Sequence, residues 1–276
     1  MIEINNYTED LILDRGIYFT KNKQNISYPQ SGNQDCFQIE ENSFWFKHRN
    51  NCIVTLVKKY SFDKHFFDIG GGNGYVAKRL EQEGVNTVLI EPGIQGCLNA
   101  QKRRLENIVC STLESASFKK GTIPSVGLFD VVEHIKDDIA FLTDVYNYLE
   151  KDGFIYITVP AYQFLWSNED TDAGHYRRYT RKELETKLEK IGFEILHSTY
   201  IFTILPLPIW LTRTLPSKLG LNKNPSDLKK HKKSHSEKIG FVSKIVNKIW
   251  NSELNNIAKG KENSFGGSCL VVAKKK

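Results

Sequence analysis

Phe66-Phe67-Asp68-Ile69-Gly70-Gly71-Gly72-Asn73-Gly74 decides how this chain is read. An apolar run ends there in an acid and then in closely spaced glycines. Phe66 to Ile69 has the length and apolarity of a buried strand, and Tyr75 to Glu83 sets Val76 and Leu80 on one face of a following helix. Gly70, Gly72 and Gly74 permit a tight turn and let a ligand approach peptide groups that a Cβ would shield. Open α/β sheets bind ligands at such turns, in the crevice beyond the carboxyl ends of their strands. A second apolar strand, Thr87 to Ile90, leads to Glu91, a carboxylate placed to accept hydrogen bonds from ribose hydroxyls. The pattern implies an adenosine cofactor, and two kinds compete.

Gly72-Asn73-Gly74-Tyr75-Val76-Ala77 satisfies the G-x-G-x-x-A form of a dinucleotide site, which makes an NAD-dependent oxidoreductase one reading. Two features oppose it. Asp68, two residues before the first glycine, would repel a pyrophosphate but attract an ammonium group. The downstream half also carries no second dinucleotide-binding unit. The segment resembles the first motif of the class I S-adenosylmethionine-dependent methyltransferases, D-x-G-x-G-x-G, matched position by position by Asp68, Gly70, Gly72 and Gly74. The resemblance implies S-adenosyl-L-methionine as cofactor and S-adenosyl-L-homocysteine as product. It sets Gly70 and Gly72 against the methionine part, Asp68 on its ammonium side and Glu91 on the ribose. Ser111 and Thr112 fall in the adenine region, and Phe129 and Asp130 complete the pocket.

The bulk properties narrow the class. At 276 residues the chain can bury a full core as one large domain or one domain with an appendage. With 40% apolar and 25% charged residues it is not globally disordered. Its net charge of +6 is modest and partly concentrated in one Lys-rich patch, so it does not by itself imply nucleic acid. Cys36, Cys52, Cys97, Cys110 and Cys269 are scattered and lack C-x-x-C spacing, which favours reduced thiols over a disulfide framework or zinc site. Glu3, Glu9 and Asp10 exclude a secretory signal at the start, and no stretch is long enough to span a bilayer. A cytoplasmic protein is expected.

Four segments follow along the chain. Residues 1–43 are polar, rich in Asn and Gln, and read as an extended arm with little regular structure. Residues 44–200 form the core, in which strands and helices alternate from 65 to 160; a sixth strand runs from Phe193 to Tyr200, after a Thr180-Arg-Lys-Glu183 capping box and Gly192. Residues 201–265 are a long helical and basic insertion, and 266–276 hold the final strand. The fold class expected is α/β: a Rossmann-like, seven-stranded, mostly parallel sheet with helices on both faces and a helical insertion before the last strand. The family resemblance makes that last strand antiparallel.

Leu128-Phe129-Asp130-Val131-Val132-Glu133-His134-Ile135 resembles the family's fourth-strand motif, where an Asp-Val-x-Glu-His run begins the acceptor side. Pro124-Ser125 depart from the pattern just upstream. His134 is a candidate base, since imidazole titrates near neutral pH; Glu133-His134 read blandly is a polar helix start. Leu165-Trp166-Ser167 and Gly174-His175-Tyr176-Arg177-Arg178-Tyr179 fall in a loop over the cleft. Similar strings mark a bacterial branch of the family grouped with glycan and lipid biosynthesis. His175 is the second candidate base. Trp166, Arg177 and Arg178 are candidates for holding an anionic acceptor, or the arginines pair with Glu169, Asp170 and Asp172 and order the loop. Trp45, in Phe44-Trp45-Phe46-Lys47-His48-Arg49, is either a substrate contact or core packing. His231 and His235 have metal-like spacing without an acid between them, and no metal is assigned.

The reading is methyl transfer from S-adenosylmethionine, by in-line displacement, to a small-molecule, glycan or lipid-linked acceptor. The absence of an Asn/Asp-Pro-Pro-aromatic motif disfavours a nucleic-acid base. An RNA methyltransferase and a non-catalytic cofactor-binding module are the alternatives, ahead of the oxidoreductase. Ile201 to Leu211 is nearly all apolar but interrupted by Pro206 and Pro208; with Lys229, Lys230, Lys232 and Lys233 it suggests peripheral contact through 201–235 with the inner membrane face. Acceptor atom and oligomeric state are not legible.

Overall fold

In the computed structural model the residues described are 2–21, 37, 39–41, 43–221 and 241–276, with backbone alone for 241–245. The strands are β1 (Leu11–Asp14), β2 (Ile17–Thr20), β3 (Phe66–Ile69), β4 (Thr87–Ile90), β5 (Ile108–Cys110), β6 (Ile123–Phe129), β7 (Leu149–Pro160), β8 (Phe193–Ile201) and β9 (Ser268–Lys275). They form one sheet in the order β1-β2-β5-β4-β3-β6-β7-β9-β8. From β2 to β7 every neighbouring pair is parallel, whereas β9 lies between β7 and β8 and runs antiparallel to both. The main helices are α1 (Phe44–Tyr60), α2 (Tyr75–Gln82), α3 (Ile94–Lys102), α4 (Asp138–Tyr148), α5 (Arg181–Ile191) and α6 (Phe241–Ala258). The α/β, mostly parallel class holds, with nine strands in place of seven.

Successive strand residues point to opposite faces, and the core divides accordingly. Phe67, Ile69, Val88 and Val271 pack on one face with Leu142 and Val145 of α4 and Leu184 and Leu188 of α5. Phe66, Leu270 and Val272 pack on the other with Ile53, Leu56 and Val57 of α1, Val76 and Leu80 of α2, and Trp250 and Ile257 of α6. Part of the insertion is therefore core: Ile201 and Phe202 are fully enclosed, and α6 closes the sheet face beside α1. The helix starts follow ordinary capping chemistry. Ser43 accepts from the Phe46 amide, Asp137 from the Ala140 amide, and Thr180 with Glu183 makes the expected reciprocal box.

Two expectations are corrected. Residues 2–21 are not an unstructured arm: β1 and β2 form a hairpin, and β2 extends the parallel sheet beside β5. Its two-residue turn is Arg15-Gly16, both at positive φ (48° and 82°), the geometry that matches strand twist. An arginine in place of the usual Asn or Asp hides the turn, and among its eight strand residues only Ile17 is buried. The strand leading to Asp130 also runs through the Pro124-Ser125 departure, starting at Ile123 where the sequence alone places its start at Val126. Pro124 is accommodated because the β6–β7 register shifts between Ile123 and Ser125.

Candidate active site

The strand order reverses direction at β3, with β4 and β5 on one side and β6 and β7 on the other, so the topological switch point, where open α/β sheets bind ligands, lies at the carboxyl ends of β3 and β6. Gly70, Gly72 and Gly74 all take positive φ there (67°, 55° and 69°), and Gly74 caps α2 in the left-handed region. The Gly70 amide is held by the Ile90 carbonyl at 2.7 Å, and a Cβ on Gly70 would lie 3.0 Å from Val131 Cγ2. The loop after β3 thus sits directly against the segment after β6.

Asp68 is wholly enclosed beneath this loop, and neither carboxylate oxygen has a hydrogen-bond partner. Burial pushes its pKa up to about 7, with the Arg49 charge opposing. The sequence motif passed over Gly71, yet a Cβ at that position would overlap both the Asp68 carboxyl group and Leu89. The run of three adjacent glycines was the available signal. Glu91 is buried after β4, and its oxygens accept from the Gly72 amide at 2.9 Å and the Gly93 amide at 2.8 Å. Burial raises its pKa against those two amides. Glu91 therefore shapes the glycine loop whatever else it binds. Ser111 is fully buried with its hydroxyl unpartnered, whereas the Thr112 hydroxyl is engaged locally with Ser115. The Thr112 hydroxyl thus helps to turn the chain after β5.

Asp130 adopts φ 57°, a strained conformation for a non-glycine residue, at the point where β6 ends. One oxygen accepts from the Thr158 hydroxyl at 3.0 Å and the other from the Arg49 guanidinium. Arg49 lies on the buried face of α1, with its guanidinium over the Trp45 ring at 4.8 Å. It went unrecognised from sequence because its partner is 81 positions away. Trp45 itself stacks on Phe202, with ring centroids 5.1 Å apart, and packs as part of the α1 face. Phe129, at the end of β6, is buried and stacked on Phe66 with ring centroids 6.2 Å apart.

Beyond Asp130 the chain turns through Glu133 and His134 and meets the loop carrying His175. The Tyr176 amide bonds the Glu133 carbonyl at 2.8 Å, and the His134 and His175 rings meet edge to face at 4.7 Å. Desolvation, and then the neighbouring His175, lower the pKa of His134, so its imidazole is neutral near pH 7. His175 Nδ1 is 3.0 Å from Asp170 Oδ1. Arg178 forks onto the same carboxylate at 2.8 and 2.9 Å. Burial alone would raise Asp170, but His175 and Arg178 hold it at about 2. Arg178 is therefore a loop-ordering residue. Arg177 pairs with Asp138 at 3.0 Å and donates to the Lys136 carbonyl at 2.6 Å. Asp138 also holds Tyr179 and Lys187. Trp166 is half-buried in the same loop. His231 and His235 lie outside the described residues.

The enclosed Asp68 carboxylate without a partner, the unpartnered Ser111 hydroxyl and a glycine loop with no room for side chains fit an ammonium-bearing adenosine cofactor. The comparisons agree. Residues 48–198, more than half the chain, match the family model of a methyltransferase domain. No curated protein matches the chain at the sequence level. A SAM-dependent methyltransferase from Archaeoglobus fulgidus is similar at TM-score 0.52 and 17% identity, over 84% of this chain and 100% of that one. Haemonchus contortus phosphoethanolamine N-methyltransferase 2, in complex with S-adenosyl-L-methionine, is similar at TM-score 0.56 and 18% identity, over 94% of this chain and 61% of that one. A methyltransferase from Haloferax volcanii in complex with the Trm112 activator gives TM-score 0.54 and 13% identity, over 87% and 92%. With a matched domain over most of its parallel core and the glycine loop at its switch point, the chain belongs to the class I S-adenosylmethionine-dependent methyltransferases.

Proposed function

We propose that this methyltransferase acts on a small-molecule or lipid-linked acceptor that enters beside the His134–His175 pair. When bound, the cofactor supplies a methyl group activated by its sulfonium charge. The protein's part is positioning and exclusion of water, which together can lower a barrier by several kcal/mol. Gly70, Gly72 and Gly74 would cradle the methionine end, with Asp68 offering a carboxylate to its ammonium group and Glu91 facing the ribose. The His134–His175 corner would take the acceptor's reacting group.

The observation that carries the acceptor side is how the insertion meets the loop of His175. Pro206 to Lys218 forms a helical run that docks on that loop through Thr214 to the Leu165 carbonyl at 2.8 Å, Ser217 to Asn168 at 2.7 Å and Arg213 to Glu169 at 2.7 Å. Its outer side leaves Leu207 65% and Leu211 50% exposed. Lys229, Lys230, Lys232 and Lys233 follow in sequence, outside the described residues. An apolar ridge followed by basic residues suits an anionic membrane carrying the acceptor. Among the described residues no helix is long and apolar enough to cross a membrane.

Incubation of the protein and methyl-labelled cofactor with a cell extract, then partition of label between lipid and aqueous phases, tests this. Label in the lipid phase is expected, together with liposome co-sedimentation that needs anionic lipid and weakens when the four lysines become glutamate. Label confined to aqueous small molecules, without sedimentation at low salt, would leave a soluble acceptor. Label lost on RNase treatment would point to RNA.

A further inference from the structure

We infer that Glu133, His134 and His175 form a site for one divalent transition-metal ion on the acceptor side of the crevice. One ligand atom from each residue lies within 4.8 Å of the others. An ion with bonds of about 2.1 Å bridges such a group after small side-chain rotations. Two imidazoles and one carboxylate on one side of an ion leave further positions open, and such N/O sets suit zinc, manganese or iron(II).

Two independent observations point to a ligand. Glu133 is 1% exposed, and neither of its carboxylate oxygens has a hydrogen-bond partner. A carboxylate so enclosed must be satisfied by a cation or a proton. The second observation is the support behind His175. Its Nδ1 is bound by Asp170, which Arg178 fixes in a two-point fork, leaving Nε2 as the free ligand nitrogen. A carboxylate behind the far nitrogen of a histidine is the usual way a metal-binding imidazole is oriented. The Tyr176 amide bond to the Glu133 carbonyl holds the two contributing segments in register.

This deepens the proposed function and rests on it for its purpose. An acceptor hydroxyl taking an open position on the ion would lose its proton to solvent at a lower pH. The acceptor oxygen then forms its bond to the methyl carbon as the carbon–sulfur bond breaks, leaving the neutral thioether product.

Full-length, chelator-treated protein without an affinity tag should bind one equivalent of Zn²⁺ or Mn²⁺ in isothermal titration with the metal salt alone. Co²⁺ should give absorption bands of nitrogen coordination. Glu133→Gln and His175→Ala should each weaken binding at least tenfold, and Asp170→Asn about 10- to 100-fold. Cys52→Ser, in the other His-Cys-Glu group, should leave binding unchanged. S-adenosylhomocysteine affinity measured on the same preparations checks folding and tests the cofactor reading separately. No binding below 1 mM metal (about −4 kcal/mol), or binding that survives both Glu133→Gln and His175→Ala in variants that still bind S-adenosylhomocysteine, would overturn the site and leave His134 and His175 as proton acceptors alone.

Discussion

The Arg49 guanidinium, carried on the first long helix, closes on the Asp130 carboxylate at the end of β6. One contact thereby ties the helix preceding the motif strand to the strained residue at the end of β6. Arg49 to Met should leave Asp130 without its cation while keeping apolar bulk over Trp45. A loss of about 1–3 kcal/mol of stability is expected, because removing one partner of an enclosed pair strands the other. Chemical denaturation reads this; an unchanged midpoint would mean that Thr158 alone suffices for Asp130.

Asp68 makes the fold pH-dependent. Its pKa in the folded chain is about 7, above the ordinary 3.8. Between those values folding takes up a proton, so stability falls as pH rises from about 4 to about 7 and then levels. Asp68→Asn should raise the melting temperature of the cofactor-free protein at pH 8, with the gain vanishing toward pH 4. The same change should weaken S-adenosylmethionine binding, since the proposed contact for its ammonium group is the ionised carboxylate. Wild-type affinity should therefore drop below pH 7, by up to about tenfold per unit. Equal affinity at pH 5.5 and 8 would remove Asp68 from cofactor recognition.

Glu91→Ala removes the acceptor of the Gly72 and Gly93 amides as well as the proposed ribose contact. Cofactor affinity should fall by the equivalent of about 1.5–3 kcal/mol, the worth of charge-assisted hydrogen bonds. Calorimetry showing no change would place the ribose elsewhere.

His134→Ala and His175→Ala should separate binding from turnover. S-adenosylhomocysteine affinity should stay within a few-fold, while turnover on the true acceptor falls about 100-fold for at least one variant. Full activity in both would leave proximity alone to drive transfer.

Gly71→Ala is expected to abolish cofactor binding or folding. The new methyl group meets the Asp68 carboxyl and Leu89 at once, and both side chains are fully buried. A variant that binds normally would show that the loop can re-form away from Asp68.

Most of the parallel core was legible because strands such as Phe66–Ile69 and Thr87–Ile90 are short, apolar and bounded by turn residues. The cofactor loop was legible because its residues are contiguous. What escaped reading depends on distance. Arg49 looks like one charge among many until the fold sets Asp130 beside it. Phe129 reads the same whether it faces a pocket or Phe66, since only strand alternation in space decides. The Asp170–Arg178 fork lies within one loop and was legible as a pairing. The edge hairpin escaped for a different reason: only Ile17 of its eight strand residues is buried, and an arginine occupies its turn.

The position of β9 has a consequence for how the molecule is made. The strand that bonds both β7 and β8 is the last in sequence, arriving 67 positions after β8 ends at Ile201. During synthesis β7 and β8 must wait, each with an unpaired edge, until that segment leaves the ribosome. A chain lacking β9 would leave one edge of β7 open and β8 without any strand partner, features that chaperones and proteases recognise. The order of the strands thus makes closure of the sheet wait on the synthesis of β9.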